Sequence, residues 1–178
     1  MISHSMKALS LAMIVAVVAC DPSSTGPDTE ALSPLTQSST EGSVLADVRA
    51  ATAQFHDVNA AIAAGYAQAT PCIANEGIRY RNGALLDAVI DPHQPEILIY
   101  EPKKNGDVRL VAVQYLVPSA LWDATNTSPP SLGDQAFMDR RTPPFGAPVP
   151  NYSLVVWAWA PNSSGIYVIQ NPAVSCDA

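Results

Sequence analysis

Histidine is scarce in this chain, with 3 in 178 residues, and His4 lies ahead of an apolar N-terminal run. That leaves His56 and His93 for any folded domain. Two histidines do not exclude a Ser-His-Asp triad, but no Gly-x-Ser-x-Gly elbow marks one. There is also no phosphate loop, no Cys-x-x-Cys and no His-Glu-x-x-His, so the common signatures of nucleotide, redox and zinc chemistry are missing. We expect no catalytic residue, no metal and no cofactor on these grounds. Basic residues are few as well: 9 Lys and Arg stand against 16 Asp and Glu. Lys103-Lys104 and Arg140-Arg141 read as ordinary solvated charges in a turn and a loop. Without a basic patch, nucleic-acid binding is disfavoured. Cysteine is limited to Cys20, Cys72 and Cys176. No apolar run after residue 20 is long enough to cross a bilayer.

What is present begins with a targeting segment. Lys7 follows Met6 and precedes an apolar run from Ala8 to Ala19, too short to span a bilayer comfortably but suited to a signal-peptide core. The run ends in Val17-Val18-Ala19-Cys20, which resembles the lipobox of bacterial lipoproteins. The resemblance implies cleavage before Cys20 and acylation of that cysteine. The alternative is an ordinary secretory signal with an incidental cysteine. Met6 is an alternative start. Cleavage removes Lys7, takes the basic count from 9 to 8, and moves the net charge from −7 to −8. Several acyl chains hold a protein firmly at a membrane, because each buried CH₂ is worth about 0.8 kcal/mol. Asp21 resembles the inner-membrane retention signal of enteric lipoproteins, a rule that does not transfer safely to other bacteria.

Residues 21–42 are rich in Ser, Thr, Pro, Gly, Asp and Glu and lack a sustained period. Such a stretch buries too little apolar surface to offset its ordering entropy, and we expect a flexible tether, with a short helix near Ala31-Leu32 as the alternative. Ser43 looks like a helix N-cap. Leu45, Val48, Thr52, Phe55, Val58, Ile62 and Tyr66 then recur at spacings of three and four, and Gly65 sits where a helix would stop. The spacing predicts one helix over about 44–64. His56, beside Asp57, reads as half of a solvated pair.

The domain is organised around residues 95–118. Two β-rich runs, Glu96–Glu101 and Val108–Val117, flank a polar segment containing Asn105-Gly106, the signature of a hairpin. The second run is apolar on both alternating faces, which places it centrally with cover on both sides. A short strand is expected at 77–81, and 84–90 is ambiguous between strand and helix. His93, between Pro92 and Pro95, belongs to a loop. Residues 118–124 suggest one helical turn carrying Trp122. Residues 125–151 are dense in Pro, Gly, Ser and Asp, forming either a lid over a pocket or a wrapped surface segment. Tyr152–Ala160 is the last long strand, with Val155, Trp157 and Trp159 on one face, and 166–170 completes a second hairpin with it.

From Ala50 onward the chain resembles a widespread group of secreted and lipid-anchored bacterial proteins of unassigned function. The resemblance rests on Gly77-Ile-Arg-Tyr-Arg-Asn82, Pro95–Pro102, Leu110–Pro118, Tyr152–Trp159 and Asn171-Pro-Ala-Val-Ser-Cys176. It implies His, Glu and His at positions 79, 114 and 155. Here these are Arg79, Gln114 and Val155, so the resemblance implies a degenerate pocket. Imidazole and carboxylate together would suit a divalent metal in the relatives.

These readings converge on an α+β fold. A signal peptide (1–20) and a tether (21–42) lead to one domain (43–178), in which a long N-terminal helix packs on an antiparallel sheet of about five strands. A cystatin-like roll is the preferred version. If Cys20 is acylated, Cys72 and Cys176 remain to form a disulfide in an oxidising compartment. The expected setting is the cell envelope, with a lipid anchor in the membrane and a small ligand or protein as partner. The first functional reading is a non-enzymatic binding domain. The second is a metal-dependent envelope enzyme, which this chain, lacking all three ligands, suits less well than its relatives.

Overall fold

The computed structural model describes residues 34–143 and 148–177. Cys20, the rest of the signal segment and residues 21–33 of the expected tether lie outside the described residues. Helix α1 spans Pro34–Thr52, a 3₁₀ turn covers Ala53–His56, and helix α2 spans Val58–Ala63. Strands β1 (Ala67–Gln68), β2 (Ile78–Arg81), β3 (Ile97–Pro102) and β4 (Val108–Pro118) follow. Helix α3 is the single turn Ser119–Trp122. Short strands β5 (Ser131–Leu132), β6 (Gln135–Ala136) and β7 (Met138–Asp139) precede β8 (Asn151–Val156). Six strands form one antiparallel sheet in the order β1-β2-β3-β4-β8-β7, and β5-β6 form a separate hairpin. The fold is α+β, with a mostly antiparallel sheet and short helices.

The expected single helix over 44–64 is corrected on two counts. It begins earlier, at Pro34, inside the stretch read as tether. It also breaks. Asp57 takes an extended conformation (φ −86°, ψ 111°), and its carboxylate accepts the Asn59 N–H at 2.9 Å. Asp competes for backbone donors and favours a cap over a helix interior, so it starts α2 instead of continuing α1. The Phe55 carbonyl, taken out of the helical ladder, accepts the buried Tyr100 hydroxyl at 2.7 Å. The break rotates α2. Val48, Thr52 and Phe55 are buried as the spacing requires, but Ala61 packs inward and Ile62 is exposed. Gly65, at φ +96°, ends α2 as expected.

The central hairpin is β3–β4. Lys103 N–H donates to the Asp107 carbonyl at 2.7 Å, and Gly106 turns the chain at φ +86°. Strand β4 lies between β3 and β8 and is buried over most of its length, as its two apolar faces require. One face carries Leu98, Tyr100, Val113, Tyr115, Leu154 and Val156 under the helices. The other carries Ile97, Ile99, Ala112, Val155 and Trp157 under the C-terminal segment.

A bulge shapes that second face. Ile99 pairs with Ala112 but Tyr100 with Leu110, which leaves Val111 as the extra residue. The Val111 carbonyl accepts both Trp159 and Ala160 N–H groups at 3.1 Å and fastens the chain that leaves β8. Strand β8 ends at Val156, where Ala158 N–H closes onto the Val156 carbonyl. Trp157 and Trp159 therefore do not share a face, contrary to the alternation. Trp157 packs with the second cluster, whereas Trp159 packs toward the helices and donates to Thr52 Oγ1 at 3.0 Å. The exposed His56 lies edge-on to Trp159, with ring centroids 4.3 Å apart. The expected hairpin with 166–170 does not form; Trp157 joins the two segments through its backbone N–H to the Ile166 carbonyl and its indole N–H to the Val168 carbonyl.

Cys72 and Cys176 form a disulfide. Around it, Asn75 N–H donates to the Val174 carbonyl and Asn171 N–H to the Asn75 carbonyl. Glu101 accepts the Ser175 N–H at 2.9 Å and pairs with Arg109 at 2.6 Å. The C-terminal segment is thereby held against one half of the second sheet face, and the other half stays open. Among the described residues, no helix is long and apolar enough to cross a membrane.

Candidate functional site

The open half of the sheet forms a cleft of about 1140 Å³. Its floor follows from strand alternation. Residues two apart point to the same face, so Gln114, Leu116 and Pro118 of β4 line it in a row, with Ile97 of β3 and Met138 of β7 beside them. Residues 167–170 form one wall, and Pro148, Val149 and Asn151 another. Part of the Pro-rich stretch 125–151 thus wraps into the sheet edge as β7 and part walls the cleft. Val155 lies on the same face but beneath this lining, 2% exposed in the packed cluster.

The three positions singled out by the resemblance converge. Gln114 sits directly opposite Val155 across the β4–β8 ladder. Arg79, on β2, reaches over β3 and donates from Nε to Gln114 Oε1 at 3.0 Å. Its Nη2 pairs with Glu76 Oε2 at 2.7 Å, with side-chain exposures of 13% and 21%. Gly77 permits this placement. At φ +78°, an added Cβ would stand 2.6 Å from the Tyr100 carbonyl, so only glycine lets β2 enter beside β3. The Glu76–Arg79–Gln114 chain satisfies a half-buried guanidinium at one end of the cleft.

At the other end, Asn151 is buried, and its Nδ2 donates to the Val149 carbonyl at 2.7 Å. Among the described residues, its Oδ1 is buried without a hydrogen-bond partner. Arg81 opens into the cleft from the exposed end of β2, in the cross-strand row of Ile97 and Gln114. Among the described residues of the lining, Glu76 is the single carboxylate, against the guanidiniums of Arg79, Arg81 and Arg140. The cleft is cationic within an acidic protein.

Two features went unmarked in the sequence. Asn151 falls there within the Pro-rich stretch 125–151, with nothing to single it out. Glu96 was read as an ordinary strand residue, yet it is 3% exposed on the helix side of the sheet. Its Oε2 accepts the Leu116 N–H at 2.9 Å. Burial pushes its carboxyl up to about 7; the Leu116 N–H opposes this and nearby Asp87 and Asp91 add to it. His93 is an exposed loop residue, its Nδ1 3.0 Å from Asp91 Oδ1. Among the described residues, no group of three or more His, Cys, Asp or Glu is placed to hold a metal ion.

Compared with protein-family models, curated proteins and solved structures, the chain matches none.

Proposed function

We propose that this is a lipid-anchored protein of the bacterial cell envelope whose domain binds a small ligand or a partner without catalysing a reaction. The observation that carries the reading is the cleft, about 1140 Å³ of open space on a sheet face whose other half is covered. Ligand sites are concave and mostly apolar with a few placed polar groups, and volumes of roughly 300–1000 Å³ are typical. The anchor rests on Val17-Val18-Ala19-Cys20 after its apolar run. In this reading the sheet with α1 and α2 on one face is a variant of the cystatin-like roll.

The site is degenerate in the same reading. Arg79, Gln114 and Val155 stand where the resembling proteins keep His, Glu and His, and their convergence supports it. Loss of one ligand releases the others, because a metal held by two groups binds poorly. The alternative, a metal-dependent envelope enzyme, would need protein ligands other than these three.

Native mass spectrometry of the full chain, isolated from membranes, tests the binding role. A bound small molecule is expected in the wild type, and its loss is expected in Leu116→Trp, which fills the floor. A wild type without adducts, with no thermal shift against a broad collection of metabolites and peptides, would end the reading.

A further inference from the structure

We propose that the cleft takes an amphipathic monocarboxylate with a long acyl body, its carboxylate held by Arg81 beside Arg79. The proposal rests on the ligand-binding reading above and names the ligand class.

The acyl body is argued from where apolar surface is left exposed. Ile73, Met138, Val149 and Val168 are 38%, 37%, 69% and 42% exposed, and all four line this cleft. Such a cluster around one concavity is unlike the scattered single apolar residues of an ordinary surface. The floor is elongated. Gln114 and Pro118 are four residues apart along β4, a rise of roughly 13 Å. Ile97 and Leu116 lie along that track.

The acid is argued from charge. Arg79 commits Nε to Gln114 and Nη2 to Glu76, so Glu76 neutralises it. Arg81 makes no ion pair among the described residues and is exposed to the cleft. A planar guanidinium offers two parallel donors that fit a carboxylate. Neutral lipids gain nothing from the charge of Arg81, and cationic amphiphiles are repelled by it.

The test uses the full chain in its membrane and a diazirine-bearing hexadecanoic acid as the probe. Photolysis should label peptides containing Leu116 or Met138, and unlabelled hexadecanoate should compete. The same chain ending in an alcohol should label these peptides about tenfold less, the loss expected for one charge-assisted hydrogen bond. Arg81→Gln should reduce labelling by the acid about tenfold, and Arg81→Lys, which keeps the charge but not the paired donors, should reduce it less. Equal labelling by acid and alcohol, or undiminished labelling of Arg81→Gln, would overturn the carboxylate assignment. Absence of label from the cleft peptides would overturn the acyl assignment. In either event, an adduct in the native mass spectrum that Leu116→Trp loses would show that the binding reading survives with a different ligand.

Discussion

Arg79 and Gln114 are bonded side chain to side chain at 3.0 Å across an intervening strand, although 35 residues separate them in sequence. Gln114 in turn faces Val155 on β8. Arg79, Gln114 and Val155 thus lie in one row across the sheet, joined by one hydrogen bond and one cross-strand pairing.

Restoring the ligands therefore has a definite expected outcome. The triple variant Arg79→His, Gln114→Glu, Val155→His should bind zinc with micromolar or tighter affinity, about −8 kcal/mol, by calorimetry. The wild-type domain should bind no stoichiometric zinc, iron or copper. Metal on the wild type, or none on a folded triple variant, would count against a relict site.

What was legible in the sequence is what local chemistry decides. Asn105-Gly106 and its flanking runs specified the central hairpin, Gly65 the end of α2, and Ser119–Trp122 a helical turn. The illegible parts depend on tertiary partners. Asp57 looked like a surface residue on a helix until the Tyr100 hydroxyl was available to take the Phe55 carbonyl. The alternation of Trp157 and Trp159 failed because β8 ends at Val156, where the carbonyl at the Val111 bulge captures the chain. Strand β7 is two residues long and is held by β8 alone, below any periodicity a sequence can display. Of the cleft, Arg79 and Gln114 are legible through the resemblance, and Val155, marked with them, lies beneath its lining. The cationic rim of Arg81 and the orphaned Asn151 required the sheet register.

The Cys72–Cys176 bond closes a loop with a sequence separation of 104. For a loop near 100 residues the chain-entropy model gives about 4–5 kcal/mol, and measured values are often lower. Cys72→Ser/Cys176→Ser should lower the urea midpoint accordingly. The tail bonds to Asn75 and Glu101 should preserve native-like spectra before the transition. Non-reduced, alkylated protein should carry no label on either cysteine; two labelled cysteines would refute the bond.

Lipidation at Cys20 predicts that a clickable fatty acid fed to cells marks the wild type. Cys20→Ala should lose both the label and the membrane fraction. An unlabelled wild type would leave an ordinary secretory signal as the reading of residues 1–20.

Glu96 predicts a pH dependence whose sign is opposite to that of a salt-bridged carboxylate. Its carboxyl is raised from about 4.5 to about 7 in the folded protein, chiefly by burial. Between those values the folded state holds a proton that the unfolded state has released, so stability falls as pH rises. The stabilising contribution is complete below about pH 4.5 and is lost as pH passes 7. A shift of this size corresponds to about 3 kcal/mol. Glu96→Gln keeps an acceptor for the Leu116 N–H and removes the ionisation. It should be more stable than the wild type at pH 8 by up to that amount and nearly equal to it at pH 4.5. Urea denaturation of both proteins from pH 4.5 to 8 checks this. A difference curve that stays flat, or a variant weaker at pH 8, would mean that the buried carboxylate is held ionised by its N–H partner.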